Sequence, residues 1–248
     1  MRTLVIVPTY NEAANVELML RALAEHVPDA HVLVVDDASP DGTGQLVTAL
    51  SAELVAVTLL SRDAKNGLGG AYRAGFAWGL ERGYDRFVEI DCDFSHDPAE
   101  LALLLDASRS CDVVIGSRYI EGSSIPEWPR RRLALSRGGN LYASKMLGLG
   151  VHDATAGYRV YSREVLEAID FEGVRADGYG FQVEMTMRAR ESGASIVEVP
   201  ITFRDRTRGT SKMSSAIVVE AFLLVTRWGV ERRLRGDPRW SISPAART

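Results

Sequence analysis

The segment Phe87-Val88-Glu89-Ile90-Asp91-Cys92-Asp93-Phe94-Ser95-His96-Asp97-Pro98 decides how this chain is read. An apolar run ends in two carboxylates one residue apart, followed by a polar turn and a proline suited to the first turn of a helix. On an extended backbone Asp91 and Asp93 project to the same side, so two anionic groups converge where a strand leaves its sheet. A hard divalent cation, Mg²⁺ or Mn²⁺, relieves that repulsion and in turn needs a polyanion to complete its shell. Taken alone the spacing is a weak signal. Asp93 capping the helix begun near Pro98, with Asp91 as a solvated strand end, accounts for it more economically.

Working outward, apolar runs near 3–7, 31–36, 55–60 and 86–91 alternate with helical patterns at about 12–26, 42–52 and 69–82. This is the pattern of an α/β fold with a mostly parallel central sheet flanked by helices. Each strand exits into polar or glycine-rich residues: Pro8-Thr9-Tyr10-Asn11-Glu12, Asp36 to Gly42, and Lys65 to Gly70. In an open α/β sheet ligands bind outside the carboxyl ends of the strands, so these loops and Asp91/Asp93 are expected on one rim. The dinucleotide fingerprint is missing after the first strand, and reading from Gly67 the required third glycine is Tyr72. Gly209-Thr210-Ser211-Lys212 likewise lacks the order of a Walker loop.

The totals limit the rest. The chain has 248 residues, 46% hydrophobic and 25% charged, enough for one substantial core: a single domain over residues 1–235 and a disordered tail over 236–248. Thr3 to Val7 reads as strand rather than as part of a signal peptide, which points to a cytoplasmic protein. Cys92 and Cys111 have no C-x-x-C spacing and read as reduced thiols. The net charge of −4 hides two basic stretches. Residues 130–145 carry five positive and no negative side chains, and residues 204–235 carry eight positive and three negative. An acidic protein with local basic stretches suits a discrete anionic ligand or a membrane surface, not nucleic acid.

In the second half, Asp112 to Tyr119 reads as a strand delivering Arg118 to its end. Residues 120–131, with Gly122, Pro126 and Pro129, read as a mobile flap, and Arg130-Arg131-Arg132 opens a helix through Leu149. Positive charge is unfavourable at a helix N-terminus, which hints at an anionic partner. Thr155 to Tyr161 reads as strand, Phe181 to Met185 opens a helix, and Val197 to Phe203 is a last strand. It leaves into the cationic, hydroxyl-rich segment Arg204 to Lys212, composed as a clamp over phosphates. A final helix at about 214–235 has a broad apolar face but too few uninterrupted apolar residues to span a bilayer. It suits docking on the sheet or interfacial contact with a membrane or membrane-protein partner.

Eight motifs in register carry a resemblance: Pro8-Thr9-Tyr10-Asn11-Glu12; Val35 and Asp37 with Ser39-Pro40-Asp41-Gly42-Thr43; Gly67-Leu68-Gly69; Asp91 to His96; Gly116-Ser117-Arg118-Tyr119; Ser136-Arg137-Gly138; Phe181 to Met185; and Asp205-Arg206-x-x-Gly209-x-Ser211-Lys212. From residue 3 to about 225 the chain resembles the polyprenol (dolichol) phosphate mannose synthases, inverting glycosyltransferases of family 2 with the GT-A fold. The resemblance implies GDP-mannose as donor and a polyprenyl phosphate as acceptor. It implies that Pro8, Tyr10, Glu12, Val35 and Asp37 hold the guanosine, and that Asp91 and Asp93 hold Mg²⁺ or Mn²⁺ with Cys92 contributing backbone. It implies further that Arg118, Arg206 and Lys212 contact phosphates, and that Arg131, Arg132 and Ser136 receive the acceptor phosphate. Asp91, Asp93, Arg118 and Arg206 are then the residues expected to carry catalysis.

There are two departures from the pattern. Some relatives carry Gln where this chain has Ser95, which leaves the choice of metal open, and some add C-terminal transmembrane segments that are not legible here. The enzyme is therefore expected to act peripherally at the cytoplasmic face of a membrane. The alternatives are a family-2 enzyme using UDP-glucose or a sugar-hydroxyl acceptor, for which Glu184 or Asp153 would be the base; a phosphatase with an aspartyl nucleophile at Asp91; and a non-catalytic nucleotide-sugar-binding subunit.

Overall fold

A computed structural model describes residues 1–206 and 215–234, with backbone only for 215–220. Seven strands form one sheet: β1 (Thr3–Thr9), β2 (His31–Asp36), β3 (Val57–Ser61), β4 (Arg86–Glu89), β5 (Val113–Ser117), β6 (Arg159–Ser162) and β7 (Ile196–Pro200). Their order is β3-β2-β1-β4-β6-β5-β7. All neighbours run parallel except β6, which is antiparallel to both β4 and β5. The helices are α1 (Val16–His26), α2 (Thr43–Leu50), α3 (Gly67–Glu81), α4 (Leu101–Ala107), α5 (Arg130–Leu147), α6 (Arg163–Ala168), α7 (Tyr179–Glu191) and α8 (Ser215–Leu234).

Period-2 alternation sorts the strand residues into two cores. Leu4, Ile6, Leu33, Val35, Phe87 and Ile115 pack with Tyr72, Phe76, Ala143, Phe181 and Val225, from α3, α5, α7 and α8. Val5, Val7, Val32, Val34 and Val88 pack on the opposite face with Met19, Leu20, Leu23, Val47 and Leu104, from α1, α2 and α4. Covered on both faces, the inner strands carry continuous apolar runs. The expected mostly parallel α/β sheet is thus present. β1 connects outward to β2 on one side, whereas β4 lies on its other side, so the crevice of the sheet opens between the ends of β1 and β4.

Several boundaries differ from the sequence expectation for physical reasons. β4 stops at Glu89 rather than residue 91; Phe94 takes φ +60°, and Asp91-Cys92-Asp93 lies on a turn, not on an extended strand. The expected strand over 155–161 is regular only from Arg159. The fully buried Arg159 guanidinium claims the carbonyls of Ala154 and Ala156 at 2.8 and 2.7 Å, which holds 154–157 as a loop. The first helix begins at Val16, after a turn in which Asn15 and Val16 donate to the Glu12 carbonyl, each at 2.9 Å. The short helix α6 was not anticipated. The flap at 120–131 is tied down: Ser124 N donates to Ile201 O, Phe203 N to Ser124 O, and Ser123 Oγ to Ser117 O. The tail over 236–248 lies outside the described residues.

The glycines of two helices separate close packing from open surface. A Cβ at Gly79 would stand 2.5 Å from both Leu4 Cδ2 and Phe87 Cε1, whereas one at Gly138, mid-way along α5, would meet nothing within 4 Å. Urea unfolding should therefore show Gly79→Ala losing roughly 1–3 kcal/mol by overpacking, and Gly138→Ala gaining about 0.5–1 kcal/mol from helix propensity.

Candidate active site

The exits of β1 and β2 are laced into one wall. Thr9 Oγ1 donates to Asp36 Oδ1 at 2.8 Å, Glu12 N to Thr43 Oγ1 at 3.0 Å, and Ala13 N to Asp41 Oδ2 at 3.0 Å. Asn11 and Ala38 take positive φ, the cost of turning both chains sharply away from the sheet. Behind this wall the buried Asp37 accepts from Arg62 Nη1 at 2.8 Å and from Asn66 N at 3.1 Å, while Lys65 Nζ stands 4.1 Å above the Tyr10 ring. The result is a flat aromatic surface beside an oriented carboxylate, a chemistry suited to a nucleoside.

Across the crevice, the turn after β4 holds both aspartates. Asp93 is buried; its Oδ1 accepts from Ser95 N at 3.0 Å and its Oδ2 faces Arg206 Nε at 2.7 Å. Beneath the turn sit Glu89 and Arg159, paired across β4 and β6. Burial, opposed by the Arg159 charge and the Gln182 amide, pushes the Glu89 carboxyl up to about 8, so at neutral pH it adds no third negative charge below the aspartates. Burial also pushes His96 down to about 4, leaving a neutral imidazole against Tyr158 and Phe203.

The far wall is cationic. Arg118 is buried and bound to the fully buried Asp153: Nε to Oδ2 at 2.7 Å, Nη2 to Oδ1 at 2.7 Å, and its backbone N to Oδ2 at 3.0 Å. Nη2 also donates to Thr155 Oγ1 at 2.7 Å, so three of the five guanidinium donors are committed and the Nη1 pair is left to turn toward a ligand. For Asp153, burial works against ionisation, but the Arg118 charge and hydrogen bonds outweigh it and hold the carboxyl below its usual range. Next to this pair, Arg132 of α5 stacks 3.9 Å over Trp128 and reaches Asp205 Oδ2 at 2.9 Å.

These walls enclose a cleft of about 840 Å³. Of the residues expected from sequence, Pro8, Tyr10, Glu12, Asp37, Asp91, Cys92, Asp93, Arg118, Arg132 and Arg206 line it. Val35 does not: it is fully buried in the core between β1 and β3. Arg131 is exposed on α5 outside the lining, and Ser136 is engaged by the Tyr119 hydroxyl at 2.6 Å. Lys212 lies outside the described residues. The two alternative bases are placed elsewhere. Asp153 is locked to Arg118, and Glu184 is buried away from the cleft lining, paired with Arg188 at 2.8 Å and accepting from Ala176 N. Trp128 and Tyr179 line the cleft without a part in the sequence reading, and Lys65 and Asp205, named there only within longer stretches, line it as well; Trp128, an aromatic amid prolines beside three arginines, was the more legible of the first two.

Among the described residues no cluster of three or more His, Cys, Asp or Glu side chains forms a self-sufficient metal cage. The donor set instead suits a hard cation that takes one or two carboxylates and completes its shell from phosphate and water. Asp93 already draws a guanidinium to 2.7 Å, so this position attracts positive charge.

The family 2 glycosyl transferase model matches residues 4–170. The chain belongs to glycosyltransferase family 2. Within that family it falls among the polyprenyl phosphate mannosyltransferases. It is 53% identical over 236 residues to an undecaprenyl-phosphate mannosyltransferase of Micrococcus luteus, covering 95% of this chain and 97% of the relative. To a polyprenol monophosphomannose synthase of Mycolicibacterium smegmatis it is 52% identical over 235 residues, covering 94% and 89%. The GT-A fold is shared with the glucosyl-3-phosphoglycerate synthase of Mycobacterium tuberculosis, solved with Mn²⁺, UDP-glucose and phosphoglyceric acid, at a TM-score of 0.68 and 20% identity over 92% of this chain and 80% of that one.

In this family 2 enzyme the Arg118–Asp153 pair is a structural anchor of the cationic wall. Asp153→Ala would strand a buried guanidinium, and chemical denaturation should register a loss of about 3–5 kcal/mol.

Proposed function

We propose that this glycosyltransferase moves mannose from GDP-mannose to a polyprenyl phosphate, by a single displacement that inverts the anomeric centre. The observation that carries the choice of acceptor is the disposition of carboxylates. Both candidate bases lie outside the cleft lining and are bound in ion pairs, whereas cations from three separate segments, Arg118, Arg132 and Arg206, converge on the cleft. A sugar hydroxyl needs a general base, but a phosphate monoester is largely ionised near neutral pH, with a second pKa of about 6, and attacks unaided. The names of the two relatives support mannose and a lipid phosphate.

In this reading Pro8, Tyr10, Glu12 and Asp37 seat the guanosine, with Val35 supporting them from the core. Asp91 and Asp93 would hold Mg²⁺ or Mn²⁺, whose chemistry when bound is to neutralise the departing diphosphate. Arg206 closes on the same phosphates, joined by Lys212, and Arg118 offers its remaining donors. Arg132, with Arg131 and Ser136 nearer the surface, receives the acceptor phosphate and brings two anions into line despite their repulsion. The Mycobacterium tuberculosis neighbour holds Mn²⁺ with a nucleotide sugar, which supports a divalent cofactor.

No helix among the described residues is long and apolar enough to cross a membrane. Val225 is buried in the sheet-facing core, Trp228 packs against it and the Phe222 ring stacks on Tyr142 of α5, so α8 docks on the domain; its other face exposes Leu223 and Val230, and α5 beside it exposes Leu135 and Leu141. We assign this surface to peripheral contact with the cytoplasmic face of a membrane or a membrane protein.

The test is one incubation of the protein with GDP-mannose or UDP-glucose and short polyprenyl phosphates, with and without Mg²⁺ or Mn²⁺. Mannolipid of inverted configuration should form only with GDP-mannose and metal. Asp93→Ala should slow transfer by a factor on the order of 10² or more. Glu184→Gln should still transfer mannose. A product of retained configuration, or loss of chemistry in Glu184→Gln with donor binding intact, would overturn the reading.

A further inference from the structure

Two consecutive residues, Asp205 and Arg206, bridge the two sides of the cleft. Arg206 faces Asp93 on the donor side at 2.7 Å. The Asp205 carboxylate faces the acceptor side, where Oδ1 accepts from Trp128 Nε1 at 2.8 Å and Oδ2 from Arg132 Nη1 at 2.9 Å. The backbone leading into them is pinned, with Arg204 N donating to Ser95 O at 3.1 Å and Asp205 N to Glu127 Oε2 at 3.0 Å. One carboxylate therefore fixes a guanidinium and the indole on which that guanidinium stacks at 3.9 Å.

We propose that Asp205 is a positioning residue for the acceptor phosphate, holding Arg132 flat on Trp128 so that its remaining donors face the cleft. This rests on the acceptor assignment made above. The chemistry favours orientation over mere neutralisation. Arg132 stands in the first turn of α5, where the positive end of the helix dipole disfavours it and where the first turn carries no acidic side chain. The compensating charge comes instead from a distant segment, and it engages one edge of the guanidinium while the ring of Trp128 fixes its plane. An arginine so held presents its other N–H groups in a set direction at lower entropic cost than a free surface arginine, which lowers the cost of capturing a phosphate. Asp205 touches neither reacting atom in this role and acts through Arg132.

Steady-state kinetics with GDP-mannose and farnesyl phosphate on wild type, Asp205→Asn, Asp205→Glu, Arg132→Ala and the Asp205→Asn/Arg132→Ala double variant test this. Asp205→Asn should raise KM for farnesyl phosphate by about tenfold while KM for GDP-mannose and kcat stay within about twofold, and Asp205→Glu should recover most of the loss. Because Asp205 acts through Arg132, the double variant should be no worse toward farnesyl phosphate than Arg132→Ala alone. Additive losses in the double variant, or equal rises in both KM values for Asp205→Asn, would overturn the proposal. A wild-type protein that binds GDP-mannose yet makes no mannolipid would instead sink the functional reading itself, and wild type alone decides that.

Discussion

The constraint on which this site depends is electrostatic: two carboxylates are held together at the place where the sheet opens. Asp91 and Asp93 both line the cleft from the turn after β4, and like charges gathered in a partly screened site disfavour one another unless positive charge is brought near. The fold answers with three arrangements. Arg159 is buried under the turn, with its donors spent on carbonyls and hydroxyls. Glu89, its cross-strand neighbour, is kept protonated by burial. Arg206 reaches in from the last strand's exit and takes one oxygen of Asp93. The same Arg159 guanidinium holds the irregular loop at 154–157 through the Ala154 and Ala156 carbonyls, and Arg204 N, donating to Ser95 O, fixes the approach of the last strand's exit.

The cations of the cleft divide into two kinds by what holds them. Arg118 is anchored to a buried partner through Nε and Nη2, which gives the far wall its rigidity and leaves only the Nη1 donors for a ligand; exchanging that partner would cost several kcal/mol, so its position is fixed. Arg132 and Arg206 are half-exposed, paired with carboxylates at the cleft's edge, and able to shift partner when an anion arrives. Asp153 is held by one of these cations, and Glu184 lies outside the cleft lining against Arg188.

Much of the fold was legible because its inner strands are buried on both faces and its loops carry glycine, proline and aspartate. The runs at Thr3–Thr9 and His31–Asp36 could be little else. The rim position of the β1, β2 and β4 exits followed from topology, and most donor-side residues named from the motifs do line the cleft. What could not be read was tertiary in origin. β4 ends at Glu89 because the antiparallel partner β6 breaks off at Arg159, and that break is set by a buried guanidinium whose acceptors lie in other segments. Val35 sits two residues from Asp37 on the strand, yet its side chain falls on the core. The partnership of Asp205 with Trp128 and Arg132 spans more than seventy residues and leaves no local signature. Asp153 looked like a possible base because a sequence displays a carboxylate and hides the arginine that holds it.

The central proposal is that Asp91 and Asp93 would hold a divalent metal that neutralises a departing diphosphate. Anomalous scattering at the manganese edge, from crystals grown with GDP-mannose and Mn²⁺, tests it most directly. The account predicts a single strong peak between the Asp91 and Asp93 carboxylates and the donor diphosphate, absent from Asp93→Ala crystals prepared in the same way. Bound GDP-mannose with no manganese at these carboxylates, or with manganese held elsewhere in the cleft, would contradict it.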